Sequence, residues 1–443
     1  MQIPPEKIQE IIDRTDLVAV VSRHVELKRS GNSHKGLCPF HGEKTPSFYV
    51  FGSDRGRFKC FGCDAGGDAI AFVQRIDGKS FLDAVKQLAK EAGVTLEERE
   101  DPLAKERAQL YEANEVARRH FEERLWSPAG QPGRAHLKAR GVSDEIARRF
   151  HLGYALNSWD DLSQRLAKDG ILEWGAKAGL CAPRKSGEGF YDVFRGRLTV
   201  PIRAVEGRTV AFGARLIEET PRPDGDKGPK YLNSRETPVY RKSETLYALD
   251  LARDTIRQSR SAVLVEGYFD AIGLFTAGVT NAVALCSTAL TQGHLAALTR
   301  VGAQELVLLL DGDAAGQKAV ERLAGPILAA GARARVASLP AGDDPDTFAA
   351  REGRAAVERL IASAAPLTEH LLERALPRGS AAAWEEKVAA LKLIMPVVEQ
   401  MPEGLERTLF VEQIARHLGV AVSDVKAQLR NDAQLKAAKA PRP

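Results

Sequence analysis

Residues 305–316 read Glu305-Leu-Val-Leu-Leu-Leu-Asp311-Gly-Asp313-Ala-Ala-Gly316. Five apolar residues in a row, with no polar alternation, predict a strand buried on both faces, as in a parallel sheet. The run ends on two carboxylates two positions apart, which share one side if the extended backbone persists. Ala314–Leu323 then predicts a helix, so these acids fall at a strand's C-terminal edge.

The stretch Ser261-Ala-Val-Leu-Val-Glu266-Gly-Tyr-Phe-Asp270 has the same form, with Glu266 at a strand end and Asp270 one turn into the next helix. Ala282–Leu285 and Val336–Leu339 are further short apolar runs between helical segments, and Asp343-Asp344-Pro345-Asp346 follows the last of them. Open α/β sheets bind ligands just beyond such strand ends. Carboxylates crowded together repel unless a cation lies between them. Hard oxygen donors without nearby His or Cys select Mg²⁺ or Mn²⁺, and two such ions can hold both the attacking and the leaving oxygen of a phosphoryl transfer. Taken singly, Asp313 is explained as a helix N-cap and Asp270 as a first-turn charge. Three clusters at equivalent strand ends are not explained that way. Gly267, Gly312 and Gly316 leave room for phosphates near the backbone.

A second constellation lies near the N-terminus, where Cys38-Pro-Phe-His41 is followed by Cys60-Phe-Gly-Cys63. Each pair is spaced as in a tight turn, and a hairpin between the pairs would bring the turns together. Three thiolates and one imidazole form a closed tetrahedral set suited to one structural Zn²⁺. Around it lie Arg23, Lys28, Arg29, Lys35, Lys44, Arg55, Arg57 and Lys59 against Glu26, Glu43 and Asp54, with Phe40, Phe48, Tyr49, Phe51, Phe58 and Phe61 interleaved. Basic and aromatic side chains on strands suit single-stranded nucleic acid, although any one of these aromatics could instead be core. A second basic track runs from Arg184 to Lys242, with thirteen Lys/Arg against eight Asp/Glu, or +5. Arg222 and Lys227, in a Pro/Gly-rich loop, are its weakest members.

The whole chain of 443 residues carries a net charge of +4, with 44% hydrophobic and 28% charged residues, a composition that excludes extensive disorder. No apolar run approaches the roughly 20 residues of a membrane span. The start, MQIPPEKIQEII, lacks a secretory pattern. Five cysteines in so long a chain cannot make a disulfide scaffold, and together these features predict a cytoplasmic protein. Ile3–Val21 predicts an amphipathic helix, Val25–Phe61 short antiparallel strands, and 69–75 and 81–92 two further helices. The charged run Glu97–Pro102 predicts a linker. Leu198–Ile202 and Thr209–Phe212 read as strands among helices, and 366–429 as helical throughout.

At these motifs the chain resembles the bacterial replicative DNA primases. Arg140-Gly141, Arg149-Phe150-His-Leu-Gly153-Tyr154, Phe194-Arg195-Gly-Arg197, Pro201-Ile202-Arg203, Phe212-Gly213-Ala-Arg215 and Pro229-Lys230-Tyr231-Leu232-Asn233-Ser234 extend the likeness over nearly the whole sequence. The resemblance implies a multidomain α+β and α/β fold. It comprises an N-terminal zinc ribbon that binds DNA (1–96), a linker (97–109), a basic mixed α/β subdomain (110–259), a Rossmann-like Toprim unit with a parallel sheet (260–365), a helical bundle (366–435) and a tail (436–443). By that resemblance Glu266, Asp311 and Asp313 are the catalytic metal-binding acids, with Asp270, Asp344 and Asp346 assisting. Arg149, Arg215, Lys230, Asn233 and Lys242 match positions lining a template and nucleotide groove. The implied activity is synthesis of short RNA primers on single-stranded DNA from ribonucleoside triphosphates, with an RNA–DNA hybrid as product.

Two departures from the family pattern stand out. Ser287 occupies a position where glycine is usual. The helical region also reads as the end of the polymerase core, so the helicase-docking domain is expected to be absent. Three other functions are disfavoured. A Toprim nuclease or topoisomerase needs a tyrosine nucleophile, and Tyr268 reads as a packing residue. A primase–helicase needs a G-x-x-x-x-G-K-[ST] loop, and Gly78-Lys79-Ser80 lacks the upstream glycine. A DNA-binding zinc module without catalysis leaves the acidic clusters unexplained.

Overall fold

The structure, a computed structural model, describes residues 3–52, 56–77, 79, 81–96, 103–184, 187–217, 228–286 and 289–439, with side chains as far as Arg430. The chain divides into two compact units, Met1–Lys105 and Glu106–Pro443.

In the first unit five strands, β1 (Lys28–Ser30), β2 (Ser33–Gly36), β3 (Phe48–Phe51), β4 (Arg57–Cys60) and β5 (Gly66–Gly67), form an antiparallel sheet in sequence order. The predicted helix 3–21 is broken in two, Pro5–Arg14 and Leu17–Ser22, because the Asp16 carboxylate accepts the Ala19 N–H and caps a new helix. Helices Ala69–Asp77 and Phe81–Glu91 match their expected positions. One sheet face is core: Phe48, Val50 and Phe58 are buried, and Phe40, Phe48, Phe58 and Phe72 pack with ring centroids 5.3–6.2 Å apart. The pairing Lys28↔Lys35↔Tyr49↔Lys59 defines the other face, because residues in one cross-strand row point the same way.

The segment 103–109, expected as linker, is helical from Ala104, where a 23-residue helix (Ala104–Trp126) begins among strong helix formers. The rest of the linker (97–102) lies outside the described residues, as do Arg55, Arg222, Lys227 and Ser287. A four-stranded antiparallel sheet orders β11 (Tyr231–Asn233), β10 (Thr209–Leu216), β9 (Arg197–Arg203) and β6 (Gly153–Ala155), and a small hairpin pairs β7 (Cys181–Pro183) with β8 (Phe190–Asp192). A six-stranded sheet then orders β12 (Leu246–Tyr247), β14 (Ala282–Leu285), β13 (Ser261–Val265), β15 (Glu305–Leu310), β16 (Arg333–Ser338) and β17 (Ala365–Pro366). Its four central strands are parallel, with antiparallel β12 and β17 at the edges. Every residue of β14 is buried, as are all but the first of β13 and β15, as expected of strands covered on both faces.

Four helices follow, Leu367–Ala375, Trp384–Gln400, Leu405–Leu418 and Val422–Lys439. The last runs through the first four residues expected as tail, and Ala440–Pro443 lie outside the described residues. Leu371, Ile394, Phe410 and Ile414 join the same buried core as the parallel sheet. Among the described residues no helix is long and apolar enough to cross a membrane.

Candidate metal and nucleotide site

The expected zinc ligands come from the turn before β3 and the end of β4. Cys38, His41, Cys60 and Cys63 have ligand atoms all within 4.8 Å of one another. Cys38 Sγ and Cys63 Sγ stand 3.8 Å apart, as do Cys60 Sγ and His41 Nδ1. For Zn–S bonds of about 2.3 Å the edge of a tetrahedron is about 3.8 Å, so the quartet fits zinc. Backbone N–H groups of Gly62 (3.3 Å) and Cys63 (3.4 Å) and the Ser47 hydroxyl (3.2 Å) surround Cys60 Sγ. Burial raises the Cys60 thiol, but these donors outweigh it and bring it down to about 7, whereas burial pushes Cys38 up to about 12.

A supporting residue escaped the sequence reading. Glu43 lies 3.4 Å from His41 Nε2 and accepts hydrogen bonds from the Cys38 N–H (2.7 Å) and from both the N–H and the hydroxyl of Ser47. It thereby fixes which ring nitrogen of His41 faces the cation. Its spacing from His41 carries no motif that would announce the role.

The aromatics divide by face. Phe40, Phe48 and Phe58 are core, whereas Tyr49, Phe51 and Phe61 lie on the opposite face, with Tyr49 5.5 Å from Phe61 and stacked 6.4 Å from Phe51. Phe61 is 68% exposed. That face also carries Lys28, Lys35, Arg57 and Lys59. The other thiols, Cys181 and Cys286, are buried.

The acids occupy the C-terminal edge of the parallel sheet. Glu266 follows β13, Asp311 follows β15, and Asp344 and Asp346 open the helix Pro345–Ala362 after β16. A cleft of about 420 Å³ is lined by Glu266, Asp270, Asp311, Asp344 and Asp346 from the edge of the parallel sheet, by Arg215, Lys230, Tyr231 and Asn233 from β10, β11 and the residue before β11, and by Arg140 and Arg322. Burial, then the Asp311 and Asp313 charges, raises the Glu266 carboxyl; burial, then Asp344 and Asp313, raises Asp311. Glu266 and Asp311 therefore both lie in the field of neighbouring carboxylates. They are not drawn onto a single point, since among the described residues the zinc quartet is the one group of three or more ligands within 4.8 Å of each other.

Each of the other acids is otherwise engaged. Asp313 caps the helix Ala314–Ala329 through the N–H groups of Ala315 (2.8 Å) and Gly316 (2.9 Å) and is not in the cleft lining. Asp344 caps Pro345–Ala362 through the Thr347 N–H. Asp270 accepts the Gly267 N–H at 2.8 Å; its burial pushes the carboxyl up to about 8. Asp346 Oδ2 pairs with Arg140 at 2.6 Å, while its Oδ1 is buried without a partner. Gly316 is required where it stands, because a Cβ there would meet the Asp311 carbonyl oxygen at 2.1 Å.

Among the basic residues, Arg215 donates to the Tyr231 hydroxyl at 2.7 Å, and the guanidinium groups of Arg140 and Arg215 both lie over the Phe269 ring, at 4.7 and 5.8 Å. Arg149 lies instead over Phe275 at 5.4 Å, and Lys242 is held by backbone bonds to Glu236 and His294; neither lines the cleft. Two residues that do are Arg140, quoted in the sequence only as part of a family stretch and given no role there, and Arg322, not named there at all. Arg140 reaches Asp346 across 206 positions, a contact with no local signal. Tyr268 is buried, as a packing residue should be, and its hydroxyl donates to Asn233.

Comparison with known proteins decides the family. The "CHC2 zinc finger" family model matches residues 3–103, "DNA primase catalytic core, N-terminal domain" matches 120–253, and "Toprim-like" matches 263–349. A DNA primase of Myxococcus xanthus is 56% identical over 98% of this chain and 70% of its own length. The chain belongs to the bacterial DNA primases. A DNA primase of Pseudomonas aeruginosa is 37% identical over 96% of the chain and 64% of its own length. Among solved structures, the Aquifex aeolicus primase (zinc-binding and RNA polymerase domains) matches with a TM-score of 0.63 and 32% identity, covering 96% of this chain and 99% of that one. A primase domain from Pseudomonas aeruginosa gives 0.64 and 35%, covering 72% and 99%.

This primase is accordingly a nucleotidyltransferase that makes RNA primers for replication. One expectation is overturned. The model "DnaB-helicase binding domain of primase" matches residues 368–423, so the docking segment expected to be absent is present. The region's Ala, Leu, Glu and Lys specify helices without saying whether they complete a core or meet a partner. The structure shows both kinds of face, with Leu371, Ile394 and Phe410 buried and Trp384, Leu393, Leu405 and Leu409 more than half exposed.

Proposed function

We propose that Glu266, Asp311 and Asp313, assisted by Asp270, Asp344 and Asp346, hold two or more Mg²⁺ or Mn²⁺ ions, and that Arg215, Lys230 and Asn233, with Arg149 and Lys242 farther along, guide template and nucleotide to them. The observation that carries this reading is the single cleft that gathers five carboxylates together with Arg140, Arg215, Lys230 and Arg322. The donor set fits hard cations: all are carboxylates, neighbouring carboxylate charges raise Glu266 and Asp311, and Asp346 keeps a buried oxygen without a partner. Divalent cations bound there would activate a ribose 3′-hydroxyl and neutralise a leaving pyrophosphate. The chain's own work is placement. Arg140 and Arg215, stacked on one buried ring, present fixed positive charge to phosphates, and Lys230 extends that charge along the cleft.

The outer face of the zinc sheet supports template binding, its lysines and arginine facing phosphates and Tyr49, Phe51 and Phe61 stacking on bases. Segment 368–423 supports docking on the replicative helicase, and the protein acts in the cytoplasm, beside the chromosome. The test is an assay with ribonucleotides, single-stranded DNA and Mg²⁺. The native chain should make new short RNA, and Asp311→Asn should lower the rate by roughly a thousandfold with circular dichroism unchanged. Retained synthesis would remove Asp311 from the site, and strand cleavage in place of synthesis would overturn the reading.

A further inference from the structure

Tyr268 opens the helix Tyr268–Thr276, two residues after Glu266, yet its side chain serves the other wall of the cleft. The ring lies against Gly213 of β10, where a Cβ would come within 2.4 Å of Tyr268 Cε2, so only glycine admits it. Gly213 and Asn233 are direct partners in the β10–β11 register. Across that notch the Tyr268 hydroxyl donates to Asn233 Oδ1 at 3.0 Å. The ring is 6% exposed and meets Tyr247 edge-on at 5.0 Å. Burial keeps the hydroxyl well above its ordinary range, so it remains a donor at working pH.

Asn233 has one acceptor and one two-hydrogen donor. Its acceptor is taken by Tyr268, and no described residue accepts from its Nδ2, although the residue lines the cleft beside Glu266 and Lys230. We infer that Tyr268 is a positioning residue, fixing the Asn233 amide so that its N–H groups meet an acceptor on the incoming ribonucleotide. The inference rests on the reading of this cleft as the nucleotide groove. It gives the tyrosine of the Glu266-Gly267-Tyr268 motif a task distinct from that of the acid beside it: tying the wall that holds the nucleotide to the strand end that holds the cations.

Steady-state primer synthesis with ribonucleoside triphosphates on single-stranded DNA tests it in four variants. Tyr268→Phe keeps the ring in the Gly213 notch and removes only the donor. It should raise KM for nucleotide roughly three- to tenfold, the loss of one hydrogen bond's orientation, with kcat and template affinity within about twofold. Asn233→Ala should raise KM at least as much, and the double variant should be no worse than Asn233→Ala alone, because the tyrosine acts through the asparagine. Asn233→Asp keeps an acceptor for Tyr268 but removes the donors, and should match Asn233→Ala. If Asn233→Ala leaves KM unchanged, the nucleotide-groove reading itself fails. If Asn233→Ala raises KM while Tyr268→Phe does not, if the two effects multiply, or if Asn233→Asp binds nucleotide as well as the native chain, the groove stands and the positioning role is overturned.

Discussion

The two constellations of metal-ligand residues in this chain are built on opposite plans. The zinc quartet is drawn together to within 4.8 Å and ringed by donors, with Glu43 bracing His41. The acids in and beside the cleft are spread along the ends of three strands, and several hold other partners: a helix N-terminus for Asp313 and Asp344, a backbone N–H for Asp270, and a guanidinium for Asp346. A site that is shut around its ion contributes to folding. A site whose ligands are already satisfied is folded without the ion and can exchange it during turnover. On the function proposed above, the difference separates a metal that holds structure from one that serves chemistry.

The sharpest way to break this contrast is to remove each ion in turn. Chelating zinc should abolish the cooperative unfolding of the N-terminal unit, since structural zinc supplies roughly 10–16 kcal/mol in such small domains; withdrawing Mg²⁺ should leave both units' unfolding in place while primer synthesis stops. Differential scanning calorimetry with paired activity assays checks both, and loss of the second unit's transition without Mg²⁺ would erase the distinction.

Next in size is the electrostatic cost of burying a carboxyl at the acidic cleft. Asp270 is held at about 8 in the fold against 3.8 in the free side chain, so the folded state keeps a proton that the unfolded state releases. Between pH 4 and pH 8 stability should therefore fall as pH rises, with no cost below that window and the full cost above it. Asp270→Asn keeps the acceptor for Gly267 and should stabilise the second unit at pH 8 by a few kcal/mol in Mg²⁺-free buffer while flattening that slope. An unchanged pH profile of unfolding temperature would count against a neutral Asp270.

On the zinc side, Glu43→Gln should weaken metal affinity by about 10–100-fold in competition with a colorimetric chelator, because the brace on His41 is lost. Smallest is the effect of the two sheet faces on template. Phe61→Ala should weaken single-stranded DNA binding by about 1–3 kcal/mol with little change in stability, whereas Phe58→Ala, on the core face, should cost about 3–5 kcal/mol of folding. The reverse pattern in fluorescence titration and thermal melts would exchange the roles of the faces.

Much of this was legible in the residues. Unbroken apolar runs such as Leu306–Leu310 placed the parallel strands to within a few residues, and two matched ligand pairs located the zinc site, because both signals are local in sequence. What could not be read depends on contacts between distant segments. Nothing near Arg140 announces its pairing with Asp346, and nothing near Glu43 announces its hold on His41. The alternation of Phe48, Tyr49, Val50 and Phe51 is a simple period of two, yet which set faces the core was decided by where Phe72 packs. The amphipathic stretch at the start read as one helix because its apolar spacing continues through Thr15 and Asp16, where the Asp16 side chain ends one helix and starts another.

The placement of the five cysteine thiols has a practical corollary. Two are sealed inside the second unit and three are claimed by one cation. A thiol-reactive dye should thus find almost nothing to label while the ribbon is loaded, and up to three new targets once it is stripped. The same silence would let a single cysteine engineered onto the surface accept a probe without competition.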